Sequence, residues 1–212
     1  MRKLLEKLLF MAGLGMTMFL DIAFGVCIAA LTAYALHVDI AMWQLPIGAF
    51  LALLPDFDIA LPLLRRAYKG LEEHKTSLMH RPFIVIPLAT LIAWWLGGNF
   101  WAIVACACVF VHFVHDTKGF GDGGLEWFWP LSKREWSLTG VEDPQPKPPL
   151  EEWIYGRWLV PTKLSVLEIV LGSIALGIGI DLTIGPPVGA MLAAIACFGA
   201  VVMWVTHHLV KQ

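Results

Sequence analysis

The chain has 212 residues, of which 58% are hydrophobic and only 15% charged, and its mean hydropathy is +0.71. A soluble domain carries about a quarter charged residues, so this composition excludes one and points to a bilayer. A formal net charge of −2 supplies no basic stripe, which excludes nucleic acid as a partner.

In chain order, the basic start (Arg2, Lys3, Lys7) is followed by an apolar stretch too long for the core of a signal peptide. It reads as a first membrane span. A span needs about 20 mainly apolar residues, and six segments meet or approach that length: 9–36, 40–64, 82–97, 99–117, 163–182 and 188–206. Only Gly97, Gly98 and Asn99 separate the third from the fourth, which predicts a tight helical hairpin. The segment 118–162 differs in kind, being rich in charge, Trp and Pro, with a stiff PQPKPP run at 144–149. The expectation is therefore an all-α, polytopic integral membrane protein of about six transmembrane helices. It forms a single membrane domain over 1–212, and 118–162 is an interfacial loop within it.

Orientation follows from Lys and Arg, which stay in short cytoplasmic loops. All 15 of them lie in or beside 1–8, 65–81, 118–162 and the C-terminal tail. Both termini are thus expected in the cytoplasm. The four cysteines, Cys27, Cys106, Cys108 and Cys197, sit in apolar runs without CxxC spacing and read as packing residues.

Against this background the ionisable residues within or beside the spans stand out, because charge at membrane depth is costly and marks function. In LLPDFDIALPLLRR (53–66), Asp56 and Asp58 are two apart and would face opposite sides of a regular helix. They converge only if the helix breaks there, and Pro55 and Pro62 are the breakers. In VHFVHDTKGFGDGG (111–124), His112, His115 and Asp116 stand at i, i+3 and i+4 and share one helix face. The following GFGDGG matches a dinucleotide fingerprint in letters only, since no strand precedes it. It reads as a turn that lets the backbone pass close to the site. The loop EEHKTSLMHRP (72–82) adds His74 and His80. Imidazole with carboxylate and no thiolate suits Zn, Mn or Fe, or Mg where carboxylates dominate. So many N and O donors allow one or two divalent ions, a pair of which could clamp a reacting phosphoryl or acyl group.

These motifs resemble a family of integral-membrane, metal-dependent hydrolases, some of whose bacterial members are LexA-regulated inner-membrane proteins. The resemblance covers about 17–132 and rests on LPDFD at 54–58, His112 and Asp116 as HxxxD, and WPLS at 129–132. It implies a bacterial inner-membrane location and a hydrolase. The family's first-span histidine is replaced here by Asp21, with Gly25 keeping the spacing, and its histidine pair, five apart, is met by His74 and His80, six apart. The resemblance makes Asp21 a further metal ligand and leaves His115 outside the HxxxD pattern.

The resulting expectation is a cytoplasm-facing site in which Asp21, Asp56, Asp58, His74, His80, His112 and Asp116 bind the metal. It hydrolyses an ester or phosphoester of a lipid or lipid-like substrate, with Asp116 or His115 taking the proton. Two other readings use the same ligands: a divalent-metal or proton-coupled transporter, to which a broken helix also belongs, and a non-catalytic protein with a structural metal. Trp127, Trp129, Trp136, Trp153 and Trp158 read as an interfacial belt roofing the site, and Glu168 is placed early in the fifth span without a decided role.

Overall fold

The computed structural model describes residues 2–58, 77–117, 124–138 and 163–210. Among these the architecture is helical: α1 (Arg2–Leu36), α2 (Leu45–Ala52), α3 (Pro82–Asp116), α4 (Lys163–Ile184) and α5 (Val188–Val210). Short 3-10 turns at Met42–Gln44, Leu54–Asp56 and Leu78–His80 join them. Three stretches are long and apolar enough to cross a membrane, Met18–Leu36, Pro82–Asp116 and Ser165–Ile184, with shorter apolar helices at Met42–Ala52 and Val188–Val202.

The chain divides into two units, residues 1–46 with 150–212, and residues 47–149. In the first, small residues let the helices approach closely. A Cβ on Gly172 would meet Phe19 and Leu20, and one on Gly179 would meet Val26 and Cys27. Both contacts advance by seven residues together, so α1 and α4 run parallel. Ala23, Cys27 and Ala175 form their buried seam. The α4–α5 hairpin turns at Gly185, whose φ of +98° suits glycine. The Asp181 carboxylate accepts from the N–H of Gly189 at 2.7 Å and of Ala190 at 2.9 Å. Those N–H groups lie in the first turn of α5, where no intrahelical partner exists.

The second unit carries the chemistry-bearing motifs. Its 35-residue α3 is two limbs: Gly98 has φ +77° and ψ −167°, a conformation that only glycine adopts freely. Val85 and Ala89 pack with Val109 and Phe113 in one buried cluster. In a straight helix Val85 and Val109 would stand about 36 Å apart, so the limbs fold back on each other as the Gly97–Asn99 spacing predicts. They measure about 24 Å and about 27 Å. The 40–64 segment is interrupted as Pro55 predicts: α2 ends at Ala52, and Leu54–Asp56 form a 3-10 turn with Pro55 buried. Pro62 lies outside the described residues, as do the PQPKPP run, Trp153 and Trp158.

Candidate metal centre

Three local features bring distant side chains together. The break after α2 lets Asp56 and Asp58 face the same histidine. Ser77 accepts from the Met79 N–H at 3.1 Å and starts the Leu78–His80 turn, which points His80 inward with 1% of its surface exposed. At the end of α3, His112 and Asp116 lie one helical turn apart.

Four donor atoms then converge. His112 Nε2 is 3.1 Å from Asp116 Oδ2 and 3.6 Å from Asp56 Oδ1. His80 Nε2 is 3.3 Å from Asp116 Oδ2 and 3.8 Å from Asp56 Oδ1. All four atoms lie within 4.8 Å of one another. Ligands bonded at about 2.1 Å to a tetrahedral ion stand about 3.4 Å apart, so the donor set fits one divalent ion in spacing as well as in chemistry. Asp58 contacts the other imidazole nitrogen, with its Oδ2 3.2 Å from His80 Nδ1. A carboxylate there fixes the tautomer and turns Nε2 toward the centre.

The charge balance also favours a cation. Three carboxylates against two imidazoles leave the site negative even with both rings protonated. Burial pulls the His80 pKa down, but hydrogen bonds and charge from Asp116 and Asp58 outweigh it and raise it to about 9. Phe113, fully buried, lies edge-on to both rings, with centroids 6.0 Å from His80 and 5.8 Å from His112, and walls the centre with hydrocarbon.

The other candidate residues are placed as follows. His115 is half-buried near the end of α3 and contributes no atom to the four-donor set. Asp21 is buried in α1 and Glu168 in α4, both in the first unit. His74 lies outside the described residues, and of the GFGDGG glycines only Gly124 lies within them. A Cβ on Gly124 would stand 2.5 Å from the Trp136 carbonyl oxygen, and the adjacent Leu125 pairs with Trp136 in an antiparallel bridge.

One feature went unread in the sequence: the fastening of segment 124–138 over the end of α3. The Arg81 guanidinium, beside His80, bonds the Glu126 carboxylate at 2.5 Å and lies 5.3 Å over the Trp129 ring. Trp127 Nε1 donates to Thr117 Oγ1 at 2.7 Å, and that hydroxyl donates to the Phe113 carbonyl at 2.6 Å. Trp127 also packs edge-on to Phe110 and Phe113. The signal available was Thr117 directly after Asp116 and WPLS shortly beyond. Both are motif residues, although neither is a ligand type.

Comparison with known families is decisive at the level of membership. The sequence model of the YdjM inner membrane proteins matches residues 16–208, nearly the whole chain. The chain belongs to the YdjM inner membrane protein family. Location in the inner membrane follows, in keeping with the apolar helices described above. Neither the curated proteins nor the solved structures gave a match. Within this YdjM chain, the Asp56–His80–His112–Asp116 cluster is the one metal-competent group found among the described residues.

Proposed function

We propose that this protein is a metal-dependent hydrolase of a membrane-associated ester or phosphoester, with one divalent ion held by Asp56, His80, His112 and Asp116. The observation that carries the proposal is the convergence of those four donors from three separate segments on one point of an inner-membrane protein. When bound, the ion supplies Lewis-acid polarisation of a carbonyl or phosphoryl oxygen. Zn, Mn and Fe suit two imidazoles with two carboxylates.

The chain's own residues supply the rest. Asp58 holds Nδ1 of His80, Phe113 excludes water from one side, and the Arg81–Glu126 pair fixes the loop bearing His80. His115, half-buried one position before Asp116, would act in this reading as the base that takes a proton from water and passes it outward. His74 remains a proposed contributor.

A six-span topology with both termini cytoplasmic accords with this reading. Parallel α1 and α4 require the chain between them to cross the bilayer an odd number of times, which a span at 40–64 and the two limbs of α3 would provide. The interruption at Leu54–Asp56 suits ion transport as well, and turnover separates the two readings. Purified protein loaded with Zn or Mn should hydrolyse a chromogenic phosphodiester or ester in lipid micelles, and His112→Ala should lose at least about 100-fold in rate. Metal-dependent uptake into liposomes with no hydrolysis of either substrate would replace this proposal with transport.

A further inference from the structure

A second feature of the 47–149 unit lies beside the centre. Ile47, Phe50, Leu51 and Leu54, from α2 and the turn after it, face Ala89, Ile92, Ala93, Leu96 and Gly97 of the first limb of α3, with Trp101 across the far end. They enclose an apolar groove of about 370 Å³. Ala89 and Ala93, small and buried, form its floor, while Phe50, Ile92 and Leu96 stand exposed along its lips. The volume is at the small end of ligand pockets, about 300–1,000 Å³, which suits a single hydrocarbon chain. From Ala89 to Gly97 the groove follows about 12 Å of helix.

The groove and the centre share a wall. Leu54 lines it and also packs on the Val85–Ala89–Phe113 cluster, and Phe113 touches both histidines. Two residues beyond Leu54 lies Asp56. From Ala89 its lining follows the first limb of α3 to Gly97, with Trp101 of the second limb beside it. In an inner-membrane protein the medium around such exposed apolar lips is lipid.

We propose that the groove seats one acyl chain of a glycerophospholipid whose phosphate lies at the Asp56–His80–His112–Asp116 cluster. The head-group half of this assignment rests on the hydrolase reading, because a negative site attracts phosphate only through a bound cation. The chain half rests on the groove itself. Lipid tails are as apolar as the groove walls, so hydrophobic transfer adds little selectivity. Selection comes from the fit to the alanine floor combined with the head group, and each half is weak without the other.

The test uses the full chain in nanodiscs with phosphatidylglycerol carrying a diazirine on one acyl chain, alongside a diazirine-bearing monoacylglycerol that lacks phosphate. Metal content is measured on the same sample. Photolabelling by the phospholipid should fall on Phe50, Ile92 and Leu96 several-fold more than on Ile195 and Phe198, which are exposed apolar residues of α5. The phosphate-free probe should show no such preference. Ala93→Phe, which fills the floor, should abolish the preference with metal content unchanged. If that variant does not fold, Leu51→Trp fills the groove from the α2 side. Even labelling of the groove and α5 in an ion-loaded sample would overturn the groove alone, as would equal labelling by the two probes. A sample that binds no metal would overturn the hydrolase reading independently.

Discussion

Asp58 Oδ2 lies 3.2 Å from His80 Nδ1, whereas the Nε2 of the same ring faces Asp56 and Asp116. The imidazole is thus held between carboxylates on both edges, and Asp58 acts through His80. Partners of this kind are worth about 10–100-fold in metal affinity. Asp58→Asn should weaken binding by that amount in a chelator competition, while Asp56→Ala and His112→Ala should remove binding altogether. Equal loss in all three would make Asp58 a ligand in its own right.

The raised pKa of His80 sets a pH dependence with opposite signs for the two forms of the protein. In the metal-free protein the folded-state value of about 9 exceeds the ordinary 6.5. The protonated ring therefore contributes stability that is full below about pH 6.5 and is lost as pH rises through about 9. Metal requires the deprotonated ring, so affinity should rise over the same interval and binding should release protons. Thermal unfolding with and without Zn from pH 6 to 9, with calorimetry in buffers of differing ionisation enthalpy, checks both signs. A stability of the metal-free form that rises with pH over that range would contradict the assignment.

Arg81 is buried against Glu126 and Trp129, at the junction between the His80 turn and segment 124–138. Hydrogen bonds between charged groups contribute about 1.5–3 kcal/mol. Arg81→Ala or Glu126→Ala should each cost about 2 kcal/mol in denaturant unfolding, and the double variant little more, because the two share one interaction. Additive losses would mean that the residues act separately.

At the other unit's hairpin, Asp181 satisfies two N–H groups at the start of α5, and Gly189 abuts the Gly177 carbonyl with no room for a Cβ. Asp181→Ala should cost about 1 kcal/mol, as loss of a cap does. Gly189→Ala should cost more, since backbone blocks the new methyl group. Both are read by thermal unfolding, and neither should change metal content, because the site lies in the 47–149 unit.

What the sequence made legible follows physical range. The break at Pro55, the hairpin at Gly97–Asn99 and the pairing of His112 with Asp116 are local effects of proline, glycine and the helical repeat. Each is present in the structure. His80 was legible as a candidate ligand in a loop, but its approach to Asp58 was not, because that depends on tertiary packing across 22 positions. The Arg81–Glu126 pair was hidden for a different reason: in a membrane chain, loop charges are read first for orientation, and nothing in their spacing distinguishes a buried pair from a solvated one. The shared face predicted for His112, His115 and Asp116 yields two members of the four-donor set, with His115 half-exposed.

The most direct test of the central claim is elemental analysis of the detergent-purified protein beside its His112→Ala variant. The account predicts close to one Zn, Mn or Fe per chain in the unsubstituted protein and almost none in the variant. A metal content that is negligible in the first, or equal in the two, would contradict it.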